Sequence, residues 1–335
     1  MLRFIVRRLS SMVFVLIGIS ILTFLIGHVG PGDPARMALG VRAKEEQVQK
    51  LREKMGLDRP LWEQYLRYMS RLIQGDLGDS LMTRRPVSKD LAIYLPATVE
   101  LGVTSLLLSI LVGYPLGTLA AHYHDSLLDK LINTLSMMGV GVPIFWIGII
   151  FQLVFYRHLE LLPAEGRLPV AMAAPPSVTN VLVVDSILAG DMAALRSAVR
   201  HMILPAVTLA LPGMAYLAKM IRWKIMESMT ENYIRTARSK GASQRRVLLR
   251  HALPNALLPA LTMTGMLAGS TFGGAFLVEI IFNWPGIGFY TYKAIQRADL
   301  TPVLTVTIIV ALAYMLANLT VDFLYLLLDP RIRYE

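Results

Sequence analysis

The stretch HALPNALLPALTMTGMLAGSTFGGAFLV, residues 251–278, runs from Arg250 to Glu279 without one Asp, Glu, Lys or Arg. A helix rises about 1.5 Å per residue, so about 20 apolar residues cross the hydrocarbon core of a bilayer. With 28 residues this run is long enough to span. Five more uncharged runs lie around it: 24 residues between Arg8 and Asp33, 24 between Glu100 and Asp125, 26 between Lys130 and Arg157, 18 between Arg200 and Lys219, and 22 between Asp299 and Asp322. Six transmembrane helices follow, and with them an all-α integral membrane protein. The fourth run in chain order is the shortest and contains Pro205 and Pro212, so its ends are least defined and a broken or tilted helix is expected there.

The composition agrees. Of 335 residues, 55% are hydrophobic and 17% charged, whereas a soluble domain carries about a quarter charged residues. The absence of cysteine excludes disulfide frameworks, thiolate nucleophiles and Cys-based metal sites. Abundant apolar residues without low-complexity runs exclude intrinsic disorder. The first run has a basic flank (Arg3, Arg7, Arg8), but it exceeds the signal-peptide core of about 7–15 residues. It also lacks a small-residue cleavage pattern, so a retained helix is expected. Leu2, Ile5 and Leu9 fall at helical spacing among those arginines, which suits a short interfacial helix over residues 1–11.

The net charge of +10, from 33 Lys+Arg against 23 Asp+Glu, admits nucleic acid or an anionic surface until its placement is considered. The connection from Lys219 to Arg250 holds nine basic residues against Glu227 and Glu231, a local +7. The other basic ends are the N-terminus and the tail with Arg331 and Arg333. Positive loops stay in the cytoplasm, and six spans put these three regions on one side, so both termini read as cytoplasmic. The loop from Pro31 to Pro96 is long and balanced by nine acids, so it carries little topological weight. The surplus reads as topology, with no nucleic-acid partner.

Residues 44–75 read as a helical hairpin: Lys44 to Met55 ends at Gly56, Asp58-Arg59-Pro60 turns, and Leu61 to Ile73 ends before Gly75. Trp62, Tyr65, Met69 and Leu72 share one face, read as a stripe that packs this small outer domain together rather than as a ligand box. A second outer loop, Arg157 to Arg200, carries Pro163, Pro169, Pro175 and Pro176. A loop of that length is either functional or mobile.

No catalytic signature is present: there is no GxxxxGK[ST] phosphate loop, HExxH or GxSxG. His122 and His124 at i,i+2 do not face each other on a helix, and read as interfacial histidines rather than metal ligands. Glu279 and Asp322 are the acids nearest membrane depth. Each reads as an interhelical hydrogen bond or helix-end contact, or as a proton relay that lacks a second acid. Their roles stay open, and with them an ion-coupled secondary carrier; an intramembrane enzyme would need a catalytic pair that is not found.

The segment Glu231-Asn-Tyr-Ile-Arg-Thr-Ala-Arg-Ser-Lys-Gly241, followed by Ala242 to Arg250 and His251-Ala-Leu-Pro254, is the most informative. It predicts two short helices broken at Gly241, Thr230 as N-cap, and a following helix bent at its entry by Pro254. A polar, basic helical hairpin between spans is a docking element. A merely solvated loop explains the charge but not the turn and proline punctuation.

This segment resembles the cytoplasmic coupling motif of ABC importer permeases, in which a Glu-Ala-Ala-like triplet precedes a glycine and, further on, Ile-x-Leu-Pro. Here the positions are Arg235-Thr236-Ala237, Gly241 and His251-Ala252-Leu253-Pro254; the first triplet residue and the Ile position depart from the pattern. The whole chain is similar to the B-type subunit of the dipeptide/oligopeptide/nickel permease family. The resemblance rests on MLRFIVRRL at the start, Pro31-Gly-Asp-Pro-Ala35, Gly75-Asp-Leu-Gly78, Pro96-Ala-Thr-Val-Glu-Leu-Gly102, Pro143-Ile-Phe-Trp146, Ile203-Leu-Pro205, Glu279-Ile-Ile-Phe-Asn-Trp-Pro-Gly286 and Asp329-Pro-Arg-Ile-Arg333.

The resemblance implies the type I ABC importer permease fold. Residues 1–30 form the interfacial helix and first span, 31–95 a small helical extracytoplasmic insertion, and 96–329 a five-span permease domain. That domain includes the 157–200 outer loop and a 219–254 cytoplasmic coupling region, and 330–335 is a cytoplasmic tail. It implies a bacterial inner-membrane subunit that pairs with a second homologous permease, two ABC ATPases and an extracytoplasmic binding protein. The implied cargo is dipeptides or short peptides, with nickel chelates, glutathione and D-amino-acid dipeptides as alternatives. No cofactor is expected on this chain, since ATP and Mg are used by the partners. ATPase docking falls to Glu231, Tyr233, Thr236, Ala237, Arg238, Gly241, Leu253 and Pro254. The translocation path falls to Met137, Met138, Phe145, Trp146, Met263, Met266 and Phe272, although helix packing in lipid also explains such residues. Gly265, Gly269, Gly273 and Gly274 are expected to face the second permease, and the 163–200 loop to reach toward the binding protein.

Overall fold

The computed structural model describes residues 2–29, 34–39, 43–297 and 299–328. Outside them lie the Pro31-Gly-Asp33 part of one motif, the Asp329–Arg333 motif and the tail. The side chains of Leu2, Ile5, Leu9 and Asp322 also lie outside the described residues. The helices are α1 (Leu2–Val29), α2 (Pro34–Leu39), α3 (Glu45–Met55), α4 (Leu61–Ile73), α5 (Val87–His122), α6 (Leu127–Gly141), α7 (Ile144–Phe151), α8 (Leu182–Leu188), α9 (Met192–Met229), α10 (Asn232–Ser239), α11 (Gln244–Val247), α12 (Leu253–Ile281), α13 (Ile287–Gln296) and α14 (Leu300–Leu328). α7 continues as a π-helical turn, Gln152–His158, and a second π-helical turn, Leu248–Ala252, leads into α12. There is no strand among the described residues, only an isolated bridge between Asp79 and Pro86.

Four helices are long and apolar enough to cross a membrane: α5, α9, α11 continuing through α12, and α14 from Leu300 to Thr320. A fifth appears if the third uncharged run counts as one span, but that run is broken: the chain bends by 109° between α6 and the α7 segment. The cause is Pro143, which lacks an N–H and disfavours the helical region for the residue before it. Val142 is extended at φ −88, ψ 131. The fourth run departs from expectation the other way. Pro205 and Pro212 lie inside one unbroken helix of 38 residues, and Ser109 Oγ donates to the Ala210 carbonyl at 3.1 Å just before Pro212. The apolar part of α1 is Ser10–Ile26.

The chain divides into two compact units, Met1–Thr98 with Pro285–Met315, and Val99–Trp284 with Leu316–Glu335. In the first, Val87, Leu91, Ile287, Tyr290 and Val306 form the core. Buried Asp90 accepts from the Tyr290 hydroxyl at 2.8 Å and pairs with Arg85 at 2.9 Å. Asp299 accepts from Ser80 Oγ and the Met82 N–H, at 2.7 and 3.0 Å. The expected 44–75 hairpin is there as α3 and α4, turned at Gly56 with φ 70. Its stripe does not simply close an outer domain, because Tyr65 meets Ser20 and Phe24 of α1.

The second unit is built around α9, which packs against α6, α7, α8 and α12. Gly113 and Gly117 of α5 permit its approach to α9: a Cβ on Gly113 would fall 2.9 Å from the Met214 carbonyl, and one on Gly117 would meet Ala218. Four-residue spacing of glycines is a helix-contact pattern in lipid.

Candidate functional site

The basic connection folds as a hairpin capped onto the ends of three long helices. Glu231 leaves α9 in an extended conformation, φ −74 and ψ 152, and is the N-cap of α10. Thr230 is therefore not the N-cap expected; it closes α9, its hydroxyl donating to the Glu227 carbonyl at 2.8 Å. At the far end Gly241 takes φ 80. The Gly241 N–H then reaches the Arg238 carbonyl at 2.9 Å and the Ala242 N–H the Ala237 carbonyl at 3.2 Å. That left-handed residue ends α10 and turns the chain into α11, as the sequence expects of glycine. Pro254 sits at the start of α12, directly after the π-helical turn Leu248–Ala252.

Ile234 is fully buried and anchors the hairpin in an apolar cluster with Ala121 of α5, Ile221 and Ile225 of α9, Val247 of α11, Leu248 and Ala252 of the π-helical turn, and Ala256 and Ala260 of α12. Two residues expected on the docking surface, Ala237 and Leu253, instead pack against this cluster. Ala237 lies one turn along α10 from Ile234, and Leu253 reaches the same cluster from the start of α12. The other six, Glu231, Tyr233, Thr236, Arg238, Gly241 and Pro254, are exposed. The Tyr233 hydroxyl accepts from Asn255 Nδ2 at 3.0 Å, which fixes the ring on the outer face. Sequence reasoning missed Ile234, Val247 and Leu248; the signal was there as apolar residues set singly or in pairs among arginines, followed by alanines at four-residue spacing.

Next to the cluster, Asp129 and Arg222 form a bidentate ion pair at 2.6 and 2.8 Å. Asn133 Nδ2 and the Asp125 N–H also donate to Asp129, at 3.1 and 3.0 Å. Both carboxylate oxygens are thus engaged, so the proximity of His124, Asp125 and Asp129 serves the turn between α5 and α6. Arg222, counted with the topological charge, is in fact committed to this pair.

Arg167 of the outer loop lies between two motif residues distant in sequence, Glu100 and Trp284. Glu100 is buried, accepts from the Val183 N–H at 2.8 Å and pairs with Arg167. The Arg167 guanidinium lies 5.5 Å from the ring centre of wholly buried Trp284. The Gly166 N–H reaches the Phe282 carbonyl at 2.9 Å, and Gln152 Nε2 donates to both Ala164 and Ile281 carbonyls at 2.9 Å. The first part of the 157–200 loop is therefore pinned to α12, while Val170 and Val178 stand exposed. Further along, burial works to raise the Asp185 carboxyl, but hydrogen bonds from the Thr179 N–H and hydroxyl outweigh it and hold the carboxyl below the ordinary Asp range. Those bonds measure 2.8 Å each. A cavity of about 870 Å³ opens beside the loop, lined in part by Tyr156, Arg157, Glu160, Arg196, Arg200 and His201.

Of the path candidates, Met137 and Met138 on α6, Phe145 and Trp146 on α7, and Met266 on α12 are exposed, while Met263 and Phe272 are half-buried. The glycine stripe also differs from expectation. Gly265 and Gly269 are buried within the chain and a Cβ on Gly274 would lie 3.2 Å from Leu209 of α9, so only Gly273 faces open space. Glu279 is wholly buried.

Several long apolar helices in an otherwise helical chain define a multi-pass membrane protein. The family model described as binding-protein-dependent transport system inner membrane component matches residues 113–334, and its N-terminal companion matches residues 1–102. A probable D,D-dipeptide transport system permease protein of Escherichia coli is 42% identical over 97% of this chain and 96% of its own length. A dipeptide transport system permease protein of Alkalihalophilus pseudofirmus is 40% identical over the full length of both chains. A glutathione transport system permease protein of Escherichia coli is 34% identical, also over both full lengths. The chain belongs to the binding-protein-dependent transport system inner membrane component family: it is an inner-membrane transport permease, a class not itself catalytic.

Proposed function

We propose that this chain is one of two homologous permease subunits of an ATP-driven importer, forming with the other the path for dipeptides or short peptides delivered by an extracytoplasmic binding protein. Six spans are assigned to α1, α5, the bent α6–α7 pair, α9, α11–α12 and α14, with both termini and the 219–254 region cytoplasmic. The cargo rests on relatives named for dipeptides, D,D-dipeptides and glutathione.

The observation that carries the coupling role is the two-sided hairpin: an apolar underside locked by Ile234 and a polar face with Tyr233, Thr236 and Arg238 outward. A solvated loop has no need of a fully buried anchor. In this reading an ATPase subunit grips the outer face, and closure of two ATPases on ATP and Mg shifts the population of permease states through that grip. The underside touches α5, α9 and α12 together, so displacement of the hairpin displaces three spans. Met137, Met138, Phe145, Trp146 and Met266 then face the second permease or the path, and the exposed part of the 163–200 loop faces the binding protein.

The test is reconstitution with the second permease, both ATPases and the binding protein, measuring labelled dipeptide uptake and stimulated ATP hydrolysis in Gly241→Val. Gly241 has φ 80 with nothing within 4 Å of a built Cβ, so the change strains the turn without a clash, by about 1–2 kcal/mol. Uptake and stimulated hydrolysis should both fall. Persistence of both in an assembled complex overturns the coupling assignment, and uptake of glutathione or a D,D-dipeptide in place of the dipeptide overturns the cargo.

A further inference from the structure

Helix α4 carries an apolar arc wider than its contact with α1 requires. At about 100° per residue, Tyr65, Tyr68 and Leu72 occupy one sector, and Met69, Trp62, Ile73 and Leu66 a neighbouring sector about 60° wide. The first sector is turned toward α1: the Tyr65 hydroxyl lies 2.8 Å from Ser20 Oγ, and Phe24 packs on both tyrosine rings at 5.4 and 5.9 Å. The second is open, with Trp62 65%, Leu66 56% and Ile73 81% exposed. Opposite both, Arg67 and Arg71 are exposed.

Depth comes from α1. Its apolar part ends at Ile26, so the Ser20 contact lies about 9 Å of helix rise inside that limit. Amphipathic helices at a membrane surface bury their apolar face to about 5–10 Å. Phe14, Leu22 and Ile26 of α1 stand exposed, as the lipid-facing side of a span would. We propose that α4 is an interfacial helix, its Trp62–Leu66–Ile73 face seated in the leaflet at the Val29 end of α1 and its arginines among the headgroups. The insertion after the first span then lies in the membrane surface rather than standing as a soluble outer domain. This rests on α1 being a span, which the test separates.

The chain has no cysteine, so single spin labels can be placed without background. Trp62→Cys, Ile73→Cys, Arg71→Cys and, on α1, Leu22→Cys are made in the assembled complex in phosphatidylethanolamine/phosphatidylglycerol vesicles, and oxygen accessibility is compared with that of a water-soluble nickel chelate. Labels at 62, 73 and 22 should favour oxygen and the label at 71 the chelate. With unlabelled protein, brominated phospholipid should quench emission from wild type more than from Trp62→Phe, a readout that does not depend on labelled variants folding. If 22 favours oxygen while 62 and 73 favour the chelate, α1 is a span and the proposal is wrong. Labels at 62 and 73 closed to both reagents would mean that a protein covers the face, which also overturns it. Should 22 favour the chelate, the span assignment of α1 fails and the proposal with it.

Discussion

Ile234→Ala tests whether the hairpin works through its underside. Ile234 is fully buried among Ile221, Ile225, Val247 and Leu248 and four alanines. Truncation removes three carbons, worth about 0.8 kcal/mol each in transfer alone, and large-to-small changes of this kind cost about 2–5 kcal/mol once the cavity is included. The alanine neighbours have no side-chain reach with which to fill the space, so collapse is limited. An eight-residue helix has no stability of its own in water, so the loss falls on docking of α10. A shift of about 2–4 kcal/mol raises the undocked population about 30- to 700-fold. Hydrogen exchange across α10 and tryptic cleavage at Arg235 and Arg238 should rise on that scale, with coupled uptake falling beside them. Thr236→Ala, on the exposed face, should leave exchange and cleavage of the isolated subunit within about twofold, since exposed substitutions cost under about 0.5 kcal/mol. Unchanged exchange in Ile234→Ala would refute the anchor. Raised exchange with undiminished uptake would refute the claim that a docked hairpin transmits the ATPase movement.

Asp129→Asn leaves Arg222 partly buried and unpaired, and should lower thermal stability in detergent by about 3 kcal/mol; a double change with Arg222→Gln should recover part of this, and strict additivity would sink the pair. Gly117→Leu should separate α5 from α9 and cut the yield of folded protein, because the new side chain meets the Ala218 backbone. Gly273→Ala, with open space around it, should be neutral or stabilising by up to about 1 kcal/mol, as measured by thermal unfolding. For Asp185, the depressed carboxyl gives a contribution fully present above the ordinary Asp pKa and lost as pH falls through the folded value. Proteolysis of the 178–190 segment should therefore accelerate on acidification below about pH 4, and Asp185→Asn should flatten that dependence.

The long apolar helices were legible because a bilayer demands about 20 uncharged residues and leaves few other solutions. Gly56 and Gly241 were legible because both occupy left-handed conformations, at φ 70 and 80, that other residues avoid. What escaped was anything decided by a neighbour. A run of 26 uncharged residues gives no direction, and the bend at Val142-Pro143 needed the geometry of that one peptide. Pro205 and Pro212 looked like breaks because their tolerance depends on helices packed around α9. Gly265 and Gly269 looked like a partner-facing stripe but are buried within the chain, while Gly113 and Gly117 of α5 lie close against the α9 backbone. In the docking segment, identity and turn were readable. Facing was not: Ala237 and Leu253 are distinguished from Thr236 and Pro254 only by where Ile234 points.

The proline-tolerant continuity of α9 matters more for function than its membrane-crossing length. Thirty-eight residues rise about 57 Å, nearly twice a hydrocarbon core of about 30 Å, so α9 extends past the bilayer. One end carries Ile221, Arg222 and Ile225, locked to the hairpin and to α6; the other begins at Met192, directly after the loop that Glu100, Arg167 and Trp284 hold. Close-packed interiors transmit displacement instead of absorbing it, and the Ala252, Ala256 and Ala260 ridge brings α12 against the same cluster without flexible side chains between. A tilt imposed at the hairpin therefore reappears along α9, where α6, α7 and α12 lie against it. The break at Pro143 sits along that contact and gives the apolar bundle of this unit a built-in corner. On the proposed coupling, movement carried by α9 would be taken up there, as a change in the 109° bend between α6 and α7, the helices that bear Met137, Met138, Phe145 and Trp146.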